Sequence, residues 1–275
     1  MAKLGRAERV AYIVKTLVER PGEIIPLSYF AQRLGVGKSS ISEDLAAVKA
    51  ALEAAGSGTL RTVPGAAGGV AYWPLPSPAE QEEVLERLCE MLSAPERILP
   101  GGFIFMTDLI TSPAWTARIG EIFAAHFRPQ RPTCVLTVET KGIPLALMTA
   151  RALNVPMVVA RREGRVTEGP QVTISYVTGS RGRIETLTVG IRSIPRAARV
   201  LIIDDFIKAG GTARGLVDLV RQFEGAEVVG IGVLIQTAQP ERKRVEGYLS
   251  LLTLEEVDEE RGRVQIRPSR SVEKE

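Results

Sequence analysis

The stretch Arg199-Val200-Leu201-Ile202-Ile203-Asp204-Asp205-Phe206-Ile207-Lys208-Ala209-Gly210-Gly211-Thr212 organises the reading of the chain. Residues 200–203 are wholly apolar and mostly β-branched, the mark of a parallel strand covered on both faces. Beyond the loop, Leu216, Leu219, Val220 and Phe223 recur at helical spacing, with Thr212 placed to cap that helix. Between strand and helix, Gly210 and Gly211 let backbone N–H groups approach a ligand, and the helix N-terminus adds positive potential. Together they form a phosphate cradle. Asp204 and Asp205 fall just past the strand, on the ligand edge of an open α/β sheet. Side by side, they can accept hydrogen bonds from two vicinal hydroxyls while the loop holds a phosphate on the same sugar.

Outward from this stretch, strands and helices alternate. Residues 102–106, 134–138 and 156–160 read as strands, and 113–127 as a helix. Residues 139–144 form a loop that opens a helix through Leu153. Residues 173–177 and 184–189 alternate like paired antiparallel strands around a small, basic tip at 178–183. Residues 227–236 make the next sheet strand, 249–254 the last, and the charged tail from Glu255 reads as frayed. The fold class is α/β, with a mainly parallel, doubly wound sheet. Gly230 and Gly232 are no dinucleotide fingerprint, because no helix follows directly.

The first quarter is different. Apolar residues recur at helical spacing over 4–19 and 27–34, the turn Gly35-Val36-Gly37 follows, and a third helix starts near Lys38. Lys38, Ser39, Ser40, Ser42 and Glu43 begin its exposed face, the small polar and basic groups that major-groove entry requires. A hairpin follows, 59–63 and 70–73 around a glycine-rich tip at 64–69. Three helices and a hairpin resemble a winged helix-turn-helix, with Arg61 and the glycine-rich wing as backbone or minor-groove contacts and Arg6 or Arg9 as a phosphate contact. A small protein-interaction domain shares the same packing pattern. Residues 1–74 hold nine Lys/Arg against six Asp/Glu, while 75–275 hold 26 of each, so the whole net charge of +3 sits here. That suits an anionic partner. Pro74, Pro76 and Pro78 mark a stiff linker over 75–80, dividing a domain of 1–74 from one of 81–275.

At 275 residues the chain is long enough for two such domains. Its apolar runs are too short for a membrane span and its first residues lack a signal-peptide core, which implies a cytoplasmic protein. Cys89 and Cys134 read as buried apolar fillers, and the single His126 as structural, without partner ligands for a metal.

The 199–212 stretch resembles the phosphoribosyl-pyrophosphate (PRPP) loop of type I phosphoribosyltransferases. The resemblance implies that Asp204 and Asp205 hold the ribose hydroxyls. It also implies that Lys208, Ala209, Gly210, Gly211 and Thr212 bind the 5′-phosphate. The 139–144 loop is similar to the pyrophosphate loop of that family, which assigns Thr140, Lys141 and Gly142 to pyrophosphate, with Arg161 beside them. The 173–189 hairpin resembles the hood that closes over PRPP, and Ser175 and Tyr176 match its Ser-Tyr pair. Mg²⁺ is then implied as part of the ligand, held chiefly by PRPP oxygens rather than by a protein metal site.

Two functional classes follow from one fold: a phosphoribosyltransferase, or a transcription regulator that senses PRPP. The winged-helix-like domain has no role in purine salvage. Purine-salvage enzymes commonly carry an acidic residue where Lys208 stands, and Ala209 replaces a common Thr. No segment after the last strand supplies a base-binding hood. Across nearly the whole chain, "ETKGIPLA" (139–146), "TISYVTGS" (173–180) and "LIIDDFIKAGGT" (201–212) resemble the purine operon repressors of Gram-positive-type bacteria. That family implies no catalytic residues and a homodimer bound to operator DNA, released when PRPP binds. By charge similarity, a pyrophosphate-bearing nucleotide is a candidate competitor at the site.

Overall fold

A computed structural model describes residues 4–65, 68–164, 167, 169–178 and 183–269. The two tips, at 66–67 of the first hairpin and 179–182 of the second, lie outside the described residues. The chain divides into two compact units, the first running through Glu80 and the second carrying the large sheet.

In the first unit, helices α1 (Arg6–Glu19), α2 (Leu27–Leu34) and α3 (Lys38–Ala54) precede the antiparallel hairpin of β1 (Thr59–Val63) and β2 (Gly69–Trp73). Helix α2 stops at Gly35, whose φ of 64° is open to glycine, and α3 starts three residues later. Ile13, Leu17, Phe30, Ile41 and Val48 meet in one apolar core with Leu60 and Val70 of the hairpin. Ile25 exchanges both backbone hydrogen bonds with Val70, an isolated antiparallel bridge that ties the segment before α2 to the hairpin. The orientation of α3 has a polar anchor as well. Asp44, 1% exposed, accepts from Arg9 Nε at 2.8 Å and from Arg6 Nε at 3.3 Å. An acid on the inner face of α3 is thus tied to α1.

The second unit opens with α4 (Pro78–Leu92), whose first turn takes up residues 78–80, the end of the segment read above as a non-helical linker. Pro78 is tolerated in a first helical turn, where its missing N–H has no intrahelical partner to lose. Next come β3 (Ile98–Leu99), β4 (Phe103–Ile104), α5 (Thr107–Ile110) and α6 (Pro113–Phe127). The single strand expected over 102–106 is therefore a two-residue strand, paired with another before it. The sheet elements are β5 (Cys134–Val138), α7 (Gly142–Leu153), β6 (Met157–Ala160), β7 (Gln171–Val177), β8 (Ile184–Gly190), β9 (Arg199–Ile207), α8 (Gly211–Val220), β10 (Glu227–Thr237), β11 (Leu249–Asp258) and β12 (Arg263–Pro268).

Six strands form one sheet in the order β12-β11-β10-β9-β5-β6, parallel except for β12. Residues Val200, Leu201, Ile202 and Ile203 of β9 are fully buried. Val200 and Ile202 share a core with Leu216 and Leu219 of α8 on one face. On the other face α6 packs on β10, which explains Gly230 and Gly232. A Cβ at Gly232 would stand 2.9 Å from the Phe123 ring, and one at Gly230 2.5 Å from the Phe127 ring. The glycines make room for aromatic side chains, so this Gly-x-Gly serves packing. His126, between those phenylalanines in sequence, is exposed on the last turn of α6 and not within the core.

The tail is the main departure from the sequence reading. β11 extends to Asp258, and β12 pairs with it antiparallel, Leu252 opposite Pro268, where a frayed end was expected. Charge complementarity accounts for it: Arg267 Nε meets Glu255 at 2.7 Å and Gln265 donates to Glu256 at 2.9 Å, while Val264 is buried beneath. A charged edge strand also resists pairing with another chain. Strands β7 and β8 form a separate hairpin that packs on α8 and joins β6 through the Arg161–Thr188 bridge.

Asp44→Ala leaves the largely covered Arg9 guanidinium without its carboxylate and should destabilise the first unit by about 1–3 kcal/mol. Thermal denaturation of the full chain reads this as a lowered first transition; an unchanged curve would show that the pair does not hold α3.

Candidate functional site

The sheet order places the site. From β5 the chain crosses outward to β6; from β9 it crosses the opposite way, to β10. The loops after β5 and β9 therefore open a crevice between two adjacent parallel strands, the position where open α/β sheets take ligands. A pocket of about 440 Å³ lies there, lined by Asp204, Lys208, Ala209, Gly210, Gly211 and Thr212 among others.

The cradle is built from backbone. Gly210 has φ 77° and is the N-cap of α8, without a side-chain cap. Thr212 is thus the second helical residue and not the cap expected of it: the left-handed turn at Gly210 ends the loop two residues earlier. Its hydroxyl sits beside the Tyr176 phenol instead. The loop is held from behind, where Arg244 N donates to Ala209 O at 3.0 Å and Arg244 Nη1 to Val177 O at 2.9 Å. The first α8 turn, whose N–H groups have no intrahelical partner, lines the pocket through Gly211, Thr212 and Ala213, a general anion-binding arrangement.

The two carboxylates lie within β9, not past it, since the strand runs to Ile207. Asp204 pairs in register with Val233 of β10 and is 7% exposed. Burial pushes its carboxyl well above the ordinary range, and the Asp205 charge adds to the effect. Burial raises Asp205 as well, opposed by hydrogen bonds and by the Lys141 charge. Asp205 N donates to Asp204 Oδ1 at 3.0 Å. Such an uncomfortable pair favours any ligand that donates hydrogen bonds to it.

Gly142 shows how closely the two loops meet. A Cβ there would come within 2.7 Å of Asp204 Oδ1, and closer still to Thr137 Oγ1. Thr137 Oγ1 is itself buried without a hydrogen-bond partner among the described residues. Thr140 and Lys141 are exposed beside this contact. Glu139 turns back to accept from Arg161 Nη1 at 3.2 Å and from the Arg162 backbone N–H at 2.8 Å.

Of the arginine pair, it is Arg162 that lines the pocket, while the Arg161 guanidinium meets Glu139. Arg162 pairs with Glu185 of β8, which also accepts from Tyr176 Oη at 2.8 Å. On β7, Ser175 is exposed and Tyr176 buried, as strand alternation requires. Phe103, Arg162, Glu185 and Phe206 are lining residues that the motifs did not announce. Phe206 was within reach, one step past the acid pair. Phe103 was not: it is 60% exposed and comes from a two-residue strand.

In the first unit, Lys38, Ser39 and Ser42 are exposed at the start of α3, Ser40 is half-buried, and Arg61 is exposed on β1. They form a basic and hydroxylic surface at a helix N-terminus. Arg6 is exposed at its stem but already engages Asp44.

Comparison with known proteins follows the same division. The family described as bacterial purine repressor, N-terminal, matches residues 5–74, and the phosphoribosyl transferase domain family matches residues 106–266. The purine biosynthesis transcriptional repressor PurR of Bacillus subtilis is 45% identical, over 96% of this chain and 92% of its own. The purine biosynthesis transcriptional activator PurR of Lactococcus lactis is 35% identical, over 93% of this chain and 94% of its own. Among solved structures, adenine phosphoribosyltransferase from Rhodothermus marinus aligns with a TM-score of 0.52 at 28% identity, covering 62% of this chain and 99% of that one.

The acid pair carries a pH signature. Because folding raises the Asp204 pKa, the folded chain binds that proton more tightly than the unfolded chain. Its stabilising contribution is complete below the ordinary carboxylate range and is lost as pH rises through the raised value. Asp204→Asn should therefore melt above the wild type by about 3 °C at pH 8, with the gap closing near pH 4. A constant gap across that range would contradict a raised pKa.

Proposed function

The chain belongs to the bacterial purine repressor family, a winged helix-turn-helix joined to a phosphoribosyltransferase fold, and we propose that PRPP binding in its second unit controls operator binding by the first. It is a DNA-binding transcriptional regulator of purine biosynthesis genes. The observation that carries the ligand reading is the convergence of an acid pair, Asp204 buried and Asp205 partly so, with a helix-terminal amide cradle at one crevice.

In this reading Asp204 and Asp205 take the ribose hydroxyls, whose hydrogen bonds favour the charged carboxylates that burial opposes. Residues Lys208, Ala209, Gly210, Gly211 and Thr212 hold the 5′-phosphate. Thr140, Lys141 and Gly142 face the pyrophosphate, with Arg162 as the arginine that lines the pocket and Arg161 held on Glu139 beside them, and Ser175 and Tyr176 sit on the covering hairpin. The residues present fit the group: the amides are free, Gly142 leaves space, and Thr137 Oγ1 awaits a polar neighbour. Mg²⁺ would supply charge neutralisation between PRPP oxygens and the acids. Lys38, Ser39, Ser40 and Ser42 enter the major groove, and Arg61 with Arg6 meets phosphates. A homodimer matches paired half-sites, and DNA partnership implies the cytoplasm.

The coupling is thermodynamic. PRPP relieves repression only if it binds the DNA-free state better than the DNA-bound one, and its several negative charges oppose a DNA phosphate backbone. A phosphoribosyltransferase with an accessory DNA-binding domain is the alternative, since the fold is that of the enzymes. Against catalysis stands Lys208, a cation unsuited to take a proton from a purine.

Promoter DNA from purine synthesis genes, titrated with the protein at fixed salt, should bind tightly and lose affinity when PRPP and Mg²⁺ are added. Specific binding indifferent to PRPP would overturn the ligand reading, and turnover of PRPP with a purine base would favour the enzyme. Lys38→Ala should weaken DNA binding about tenfold and leave calorimetric PRPP affinity unchanged.

A further inference from the structure

The pocket contains an acid that the ligand reading does not use. Glu185 lies on β8 directly opposite Tyr176 of β7 in the hairpin register. Its Oε2 accepts from the Tyr176 hydroxyl at 2.8 Å and meets Arg162 Nη1. The carboxylate is 32% exposed and the Arg162 side chain 49%. Both line the pocket together with Lys208, and among the described lining residues Arg162 and Lys208 are the only cations.

A carboxylate in a pocket for a polyanion opposes its ligand unless it does something else. Here it occupies one of those two cations. The backbone N–H of Arg162 is held by Glu139 Oε1 at 2.8 Å, while its half-exposed guanidinium lines the crevice and meets Glu185. Tyr176 in turn stands beside Thr212 on the first turn of α8. A chain of polar contacts therefore runs from the phosphate cradle, through Thr212, Tyr176 and Glu185, to Arg162.

We propose that Glu185 sets the ligand affinity of the site as a built-in anionic occupant of Arg162, displaced when a ligand phosphate arrives. The exchange is one anion for another on the same guanidinium. Arg162 turns from Glu185 to the phosphate, and Glu185 keeps its hydrogen bond from Tyr176, so no carboxylate is left without a donor. The cost of breaking the ion pair lowers affinity, which places the response at a higher ligand concentration than an acid-free pocket would give. It also ties the position of the β7–β8 hairpin to occupancy, because Glu185 and Tyr176 both belong to it. This inference rests on the pocket being a site for PRPP.

The test is calorimetric titration of the full-length wild type, Glu185→Gln, Arg162→Ala and the double variant with PRPP and Mg²⁺. Glu185→Gln keeps the size of the side chain and an acceptor for Tyr176 but removes the charge. It should tighten binding about fivefold, and the gain should fall below about twofold in the Arg162→Ala background. Tightening is an outcome that mere damage to the hairpin would not produce. Glu185→Ala carries the same expectation if the Gln variant folds poorly, as judged by melting. Unchanged or weaker binding by both variants of Glu185 would overturn the proposal, and an undiminished gain without Arg162 would replace exchange by simple repulsion. Failure of the wild type to bind PRPP would instead refute the site on which the inference stands.

Discussion

The constraint on which the structure depends is the burial of β9 between two parallel neighbours and two helices. Nothing in Val200, Leu201, Ile202 or Ile203 reaches solvent, so the strand's position is set by apolar packing on both faces and by its backbone ladders to β5 and β10. That rigidity carries Asp204 and Asp205 into an environment that penalises their charge. Two adjacent buried acids would be a liability in a protein with no ligand for them. Beside an amide cradle and a crevice they become a recognition device, with the unfavourable desolvation already met before the ligand arrives.

Much of this was legible in the sequence because the signals are local. The strand at 134–138, the helix at 27–34, the acid pair and the Gly-Gly turn are each spelled by neighbouring residues. What escaped were pairings over long separations. Asp44 and Arg9 are 35 residues apart, and the pair exists only once α1 and α3 pack. β12 read as a charged tail because its partners, Glu255 and Glu256, neutralise it only across the strand. The distinction between Arg161 and Arg162 depends on how the chain leaves β6, and the part of Glu185 depends on hairpin register. The Thr212 cap failed for a related reason: a glycine in the left-handed region can end a loop without any side chain.

In the enzymes of this fold the crevice is a place of reaction; in the function proposed for this chain it serves control. A transferase needs its ligand consumed; a sensor needs it bound and released at concentrations that matter. An ion pair standing in the site, between Arg162 and Glu185, suits release. So does a cradle braced by Arg244 from outside, since the loop keeps its shape whether or not it is filled. The first unit contributes a basic helix N-terminus whose orientation rests on the buried acid of α3. In the proposed function its contribution to DNA affinity is electrostatic, and a charged effector opposes it.

The central claim is a linkage between two ligands, and linkage is reciprocal. The most direct test is the affinity of the protein for PRPP with Mg²⁺, measured once with free protein and once with protein saturated by a purine-gene operator. PRPP should bind more weakly in the presence of the operator, by the same factor by which PRPP weakens operator binding. Equal PRPP affinity in the two states would contradict it, whatever the individual affinities prove to be.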